Sequence, residues 1–324
     1  MGVFAELRQR YSFIRALVSF QNSVFYLLFF AVLCTFSGLC GKEIYLPILL
    51  FIAAMIAFSA LFTDDNKVFF PPMLMIYYAL GNDTDKIYTS ESGKILSTFE
   101  LDGFVSAIIC GVVMAIAVFW RLIADGTVAR AFKKRGLCFY GILTLDVAFL
   151  LNGAFSEKWV PANLIYGAIT SIAITLFYLL TLSIAENSKD PIGYACKTLV
   201  CTSFVAAVQT FVTIYRMYVS DKLFFRNSMG EILYLVRVEL PWGLATIIAT
   251  VILLGIPAAM YLALNRKYSA VSYFSVFVFM AAIVATDTRA AMLIGTFLIV
   301  VFTLIGCFCG RNKKARGNFG LFGL

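Results

Sequence analysis

The chain has 324 residues, of which 61% are hydrophobic and 14% charged, and its formal net charge is +8. Soluble domains carry about 25% charged residues, so this composition excludes a water-soluble globular protein. The apolar segments continue for roughly 18–22 residues without alternation, which favours spanning helices over barrel strands. We therefore predict an all-α, polytopic transmembrane helical bundle of about ten spans.

The predicted spans follow the apolar segments along the chain. They lie at about 23–40, 44–62, 68–81, 101–122, 136–153, 162–185, 195–215, 241–263, 269–286 and 290–308. The third segment is short and contains Pro71 and Pro72, so either a full crossing or a re-entrant piece fits it. Residues 1–310 are predicted to form a single transmembrane domain, and residues 311–324 a basic cytoplasmic tail.

The distribution of Lys and Arg predicts the orientation. If all ten segments cross and the N-terminus is cytoplasmic, 17 of the 26 Lys and Arg residues lie on the cytoplasmic side. Omitting the segment 68–81 would place the basic stretch 121–135 outside, against the positive-inside rule. We therefore predict a multi-pass protein of the inner, cytoplasmic membrane with both termini in the cytoplasm.

Several functional classes lack their signatures. The chain has no His, no P-loop and no G-x-S-x-G motif, which argues against His-based catalysis and ATP-driven transport by this chain alone. Its eight Cys lie mostly in apolar segments, so we predict neither a disulfide framework nor a metal site. Basic residues cluster between spans, which indicates topology rather than nucleic-acid binding. We expect no cofactor and an uncleaved first span.

Arginines on the predicted outer side are the candidate binding groups. Arg216, Arg226 and Arg237 lie in the loop 216–240, and Arg289 opens the last predicted span. A guanidinium keeps its charge and binds phosphate oxygens through a planar fork. These arginines could instead reach lipid headgroups or pair with nearby carboxylates. Those carboxylates are Glu231, Glu239 and Asp287.

Two short patterns around these arginines carry a resemblance. The first is Arg237-Val-Glu-Leu-Pro-Trp242-Gly243 at the start of a predicted span. The second is Thr286-Asp287-Thr288-Arg289-Ala290, two spans later. Over about residues 216–295 the chain resembles the O-antigen ligase and polymerase family of multi-pass membrane glycosyltransferases. The pattern departs from the family at Thr288, where Ser is frequent, and at Ala290, where Gly is frequent.

The resemblance implies a substrate and a set of site residues. The family transfers a glycan from undecaprenyl diphosphate at the outer face of the membrane. Arg216, Arg237 and Arg289 would then bind the diphosphate, and Glu239 or Asp287 could act as general base. The supporting residues would be Trp242, Gly243, Asp287 and Asp146. The family continues with two more spans and a His-bearing outer loop, so we expect a truncated or inactive relative, with other envelope polysaccharide proteins as partners.

One acidic residue lies inside an apolar segment. Asp146 is flanked by Leu145 and Val147 in the predicted span 136–153. An acid in a membrane helix indicates function, because burying it is costly. The alternative is a helix–helix hydrogen bond, with Thr144, Asn152 or Gln209 as the predicted partner. Because of Asp146, the second functional hypothesis is a secondary transporter or flippase. The third is a non-catalytic membrane partner in envelope assembly.

Overall fold

The computed structural model describes residues 2–40, 44–79, 101–133, 136–155, 161–188, 190–226, 232–240, 243–265 and 269–309. Within these ranges the chain is helical apart from one short two-stranded hairpin. The predicted helical class is therefore confirmed. The predicted tail 311–324 and Trp242 lie outside the described residues.

The elements follow one another along the chain as a succession of helices. They are α1 (Gly2–Arg10), α2 (Ser12–Gln21), α3 (Val24–Cys40), α4 (Tyr45–Phe62), a 3-10 turn (Asn66–Phe69), α5 (Phe70–Ala79), α6 (Leu101–Ala124), α7 (Thr127–Lys133), α8 (Leu137–Ala154), α9 (Pro161–Asn187), α10 (Pro191–Val219), β1 (Phe224–Arg226), β2 (Ile232–Leu235), α11 (Ala245–Asn265), α12 (Ser269–Ala285) and α13 (Arg289–Cys309).

Each apolar segment predicted as a span contains a helix, but the helices differ in length. Four helical stretches in the described ranges are long and apolar enough to cross a membrane alone: Gly167–Asn187, Pro191–Val219, Ala245–Leu264 and Arg289–Phe308. Two bent helix pairs, Ser12–Gln21 with Val24–Cys40 and Ile109–Ala124 with Thr127–Lys133, raise the number to six. The described residues therefore contain four to six candidate spans by length and composition, and the ten-span count remains a prediction.

A glycine breaks the helical segment between α6 and α7. Gly126 has a φ of 75°, which residues with a Cβ rarely adopt. Its N–H donates to the carbonyl oxygen of Ile123 at 3.0 Å, and its own carbonyl oxygen accepts from the N–H of Arg130 at 3.0 Å. The two helices meet at an angle of 68°. This bend carries the polar residues that follow Arg121 away from the axis of α6.

The chain divides into two compact units. The first unit comprises Met1–Asn22, Phe51–Phe70 and Ile108–Pro191, and the second comprises Ser23–Leu50, Pro71–Ala107 and Ile192–Leu324. In the first unit α8 and α9 pack closely, and a Cβ on Gly167 would lie 2.7 Å from the carbonyl oxygen of Phe149. The ring of Phe70 stacks on that of Phe177. The single domain predicted for residues 1–310 stays a prediction.

The second unit is built around a close approach of α10, α11 and α12. Ser203 of α10 donates through its Oγ to the carbonyl oxygen of Val251 in α11, at 3.0 Å. Gly255 of α11 is buried against Ser203 and against Phe279 of α12. The rings of Phe204 and Phe279 meet at 5.0 Å. Small residues at a helix contact allow this approach, which is the usual packing device of membrane helices.

Candidate functional site

Arg216 is exposed near the C-terminal end of α10. Its Nη1 donates to the carbonyl oxygen of Leu39 at 2.9 Å. Leu39 lies in the last turn of α3, where backbone carbonyls have no partner within the helix and carry partial negative charge. About two turns earlier in α10, Gln209 donates to the carbonyl oxygen of Cys34, also in α3, at 3.1 Å. Arg216 is thus held on α3, with the rest of its guanidinium exposed.

The segment between α10 and α11 contains the hairpin and the first motif. Strand β1 pairs with β2 in antiparallel register, with Phe224 opposite Leu235. Arg237 follows the hairpin and is exposed. Leu240 and Gly243 then exchange backbone hydrogen bonds, both at 3.0 Å, and close a tight turn directly before α11. The turn fixes where α11 begins, and Gly243 is buried in it.

The second motif forms a compact turn between α12 and α13. Thr286 is fully buried, and its Oγ1 donates to the carbonyl oxygen of Ile283 at 2.7 Å. Asp287 has a φ of 52°, a conformation that Asp tolerates better than most residues. Thr288 donates through its Oγ1 to the carbonyl oxygen of Ala245 at 3.3 Å. This hydrogen bond places the start of α13 beside the start of α11.

The structure therefore brings the two motifs to the same end of the second unit. Gly243 lies just before α11, which begins at Ala245, and Thr288 lies just before α13, which begins at Arg289. The motifs lie 43 residues apart along the chain at their contact. Arg216 is instead bonded to the carbonyl oxygen of Leu39 in α3.

Two of the three predicted arginines have no partner among the described residues. Arg237 and Arg289 are exposed, and neither forms a hydrogen bond or an ion pair with the part of the chain that the structure describes. Neither Glu239 nor Asp287 pairs with them, and Glu231 lies outside the described residues. Arg289 is also the first residue of α13, where the helix dipole adds positive potential. Both guanidinium groups are therefore available to an external anion or to lipid headgroups.

Asp146 does not have the partners predicted for it. Its Oδ2 accepts a hydrogen bond from Thr175 Oγ1 at 2.6 Å, across the contact of α8 with α9. Thr144 donates to its own helix, at Tyr140, and Gln209 donates to Cys34. Asn152, the third predicted partner, makes no bond to Asp146 either. The prediction of the partner was wrong because α9 is the helix that packs against this face of α8.

A buried polar cluster in the first unit was not predicted. Its members are Asn66, Arg121, Asp125 and Ser183, which we call the Asn66 cluster. Asn66 and Arg121 are only 4% and 6% exposed, and Ser183 is fully buried. Arg121 Nε donates to Asn66 Oδ1 at 3.1 Å, and Asn66 Nδ2 donates to Asp125 Oδ2 and to Ser183 Oγ, the latter at 2.7 Å. The amide of Asn66 thus connects a buried guanidinium to a carboxylate.

Further bonds complete the cluster at the bend after α6. Asp125 Oδ1 accepts from the backbone N–H of Thr127 at 2.8 Å, and Asp125 Oδ2 accepts from Ser183 Oγ at 3.0 Å. Arg130 donates to Glu186 at 2.8 Å and to Thr127 Oγ1 at 3.0 Å. The sequence signal for this site was Arg121 placed four residues before Asp125 at the end of an apolar segment. In the sequence, that pattern predicted only the orientation of the span in the membrane.

The fold and the apolar helices define a helical membrane protein. Among the described residues, no three Cys, Asp or Glu side chains lie close enough together to hold a metal ion. Models of known protein families, curated proteins and solved structures were all compared with the chain, and none matches it. The proposed function therefore rests on the geometry of the site.

Proposed function

We propose that the chain is a protein of the cytoplasmic membrane that binds an undecaprenyl-diphosphate-linked glycan at the outer face, in the manner of O-antigen ligases and polymerases. The proposal includes ten spans and two cytoplasmic termini, which place the loop 216–240 and Arg289 outside. One observation supports it above all: Thr288 bonds to Ala245, so the two motifs that carry the resemblance adjoin each other.

The proposed binding rests on charge. Arg237 and Arg289 are exposed and have no carboxylate partner among the described residues, so a diphosphate can bind without first breaking an ion pair. Arg216 contributes the guanidinium nitrogens that do not contact Leu39. Hydrogen bonds from guanidinium to phosphate oxygens are charge-assisted and about twice as strong as neutral ones.

The proposed transfer step follows from the same groups. An acceptor hydroxyl attacks the anomeric carbon of the lipid-linked sugar, the bond from that carbon to the phosphate oxygen breaks, and undecaprenyl diphosphate leaves. The arginines stabilise the charge that develops on the leaving diphosphate. Glu239 and Asp287 are the carboxylates nearest in sequence to the two motifs, and either would take the proton of the acceptor hydroxyl. The supporting role proposed for Gly243 is to close the turn before α11, and Trp242, its neighbour in the sequence, is proposed as a second supporting residue.

Removing the arginines is expected to weaken binding of undecaprenyl diphosphate. Arg237→Ala and Arg289→Ala should each reduce affinity roughly 10-fold or more, because a hydrogen bond to a charged group contributes about 1.5–3 kcal/mol. The measurement is titration of the purified full chain in nanodiscs with undecaprenyl diphosphate. Arg15→Ala is the matched control, since Arg15 is exposed and predicted to be cytoplasmic; it should leave affinity unchanged.

Two outcomes would count against this site. Unchanged affinity in the Arg237→Ala/Arg289→Ala double variant would remove the anion site. Equal competition by phosphatidylglycerol and by undecaprenyl diphosphate would assign the arginines to ordinary headgroup contact. A lysine at either position should recover part of the affinity, because it restores charge without the planar fork.

A second candidate function is secondary transport of a polar or lipid-linked solute, and Asp146 favours it. This acid lies in the middle of an apolar helix, and one of its carboxylate oxygens is buried without a hydrogen-bond partner in the described part of the chain. Ionisable groups at such depth occur along ion pathways. Proton- or sodium-driven uptake in proteoliposomes should be abolished by Asp146→Asn and retained by Thr144→Val. Uptake that survives Asp146→Asn would leave this function without support.

A further inference from the structure

Asp146 lies in a helix pair that provides no positive charge. Helix α8 contains no Lys or Arg, and Asp146 is its only acid. Helix α9 likewise contains no Lys or Arg, and its only acid is Glu186 near the C-terminal end, which is paired with Arg130. No hydrogen bond or ion pair links Asp146 to a basic side chain in the described residues. A carboxylate in this apolar setting requires another source of positive charge, because burying it uncompensated is costly.

Two hydroxyl oxygens of the kind that bind hard cations lie beside Asp146. Thr175 Oγ1 lies 2.6 Å from Oδ2, and Ser171 Oγ donates to the backbone oxygen of Asp146 at 3.1 Å. The other carboxylate oxygen, Oδ1, is buried and has no hydrogen-bond partner among the residues that the structure describes. Ser171 and Thr175 are four residues apart and so lie on the same face of α9. The two carboxylate oxygens and Thr175 Oγ1 therefore lie together, and Ser171 Oγ lies beside the backbone oxygen of Asp146.

We propose that Asp146, Ser171 and Thr175 form a binding site for a monovalent cation of the size of sodium between α8 and α9. Hard cations prefer oxygen ligands, and the single carboxylate neutralises one positive charge. A divalent ion would leave a net charge in the apolar contact. The site is independent of the glycan chemistry proposed for the second unit.

Binding requires only that the Thr175 hydroxyl rotate. At present its hydrogen is directed to Asp146 Oδ2. When a cation binds, the hydroxyl donates to the carbonyl oxygen of Ser171 one turn earlier and presents its lone pairs to the ion. Two neighbouring threonines already bond in this way: Thr181 donates to Phe177, and Thr144 to Tyr140, both at 2.8 Å. No covalent bond changes.

The test measures the thermal unfolding midpoint of the purified full chain in detergent, with NaCl or KCl at equal ionic strength. A bound ion stabilises the folded state in proportion to its occupancy, so NaCl should raise the midpoint above that in KCl, with a saturable dependence on concentration. Thr175→Val and Asp146→Asn should both abolish this difference. Thr144→Val and Thr181→Val are the matched controls and should preserve it.

The proposal is overturned if NaCl and KCl give the same midpoint for the unmodified chain, or if the sodium effect persists in both Thr175→Val and Asp146→Asn. A response to pH without a response to sodium would also overturn it, since that would assign the positive charge to a proton. Thr175→Val keeps the charge of Asp146 and the volume of the threonine, so it tests the site even if Asp146→Asn does not fold.

Discussion

Replacing Arg121 with methionine is expected to lower the free energy of unfolding by about 3 kcal/mol. The guanidinium donates to Asn66 Oδ1 at 3.1 Å and to the carbonyl oxygen of Asp64 at 3.0 Å, and the side chain is buried. Methionine fills a similar length but leaves both acceptors without these donors. Thermal or denaturant unfolding of the purified chain in detergent measures the loss.

Two further variants give this prediction its control. Arg15→Met removes an exposed arginine of α2 and is expected to change the free energy of unfolding by less than about 0.5 kcal/mol. Arg121→Lys keeps the charge and one donor, so its loss should fall between the two. If Arg121→Met were no more destabilising than Arg15→Met, the Asn66 cluster would not stabilise the first unit.

Adding a methyl group at Gly255 is expected to destabilise the second unit by about 1–3 kcal/mol. A Cβ there would lie 2.5 Å from Ser203 Cβ and 2.8 Å from Phe279 Cε2. Both distances are far shorter than a carbon–carbon van der Waals contact, so α10, α11 and α12 would have to move apart. The measurement is the thermal unfolding midpoint of Gly255→Ala in detergent.

A second substitution distinguishes this steric effect from a change in helix propensity. Ser203→Gly removes the Cβ and Oγ that the new methyl group would meet, so Gly255→Ala/Ser203→Gly should be more stable than Gly255→Ala alone. Gly141→Ala is the matched control, since no atom lies within 4 Å of its Cβ position. If Gly141→Ala were as destabilising as Gly255→Ala, the close helix contact would not explain the effect.

The helix positions were predictable from the sequence because they depend on local composition. Apolar segments predicted α11 and α13 to within a few residues of their observed bounds, Ala245–Asn265 and Arg289–Cys309. The number of crossings was less predictable. Gly126 bends the segment after α6, and α5 is only the ten residues Phe70–Ala79. An apolar segment of the predicted length therefore does not always form one straight helix that is long enough to cross the membrane.

The candidate sites also differ in how far the sequence predicted them. The two motifs were predicted to act together, and the bond from Thr288 to Ala245 places them side by side. The partner of Asp146 was predicted wrongly, because three polar residues were candidates and the sequence did not show that α9 packs against α8. The Asn66 cluster was missed entirely, since its four residues come from three separate segments of the chain.

The sequence by itself determined that this is a helical membrane protein, since an apolar composition of 61% leaves the backbone no better way to satisfy its hydrogen bonds in lipid. It also placed Arg237 and Arg289 in the motifs of the proposed site. Only the tertiary structure decided which polar groups are buried together. Partners such as Asn66 with Ser183, 117 residues apart, are selected by helix packing, which depends on side chains distant in sequence.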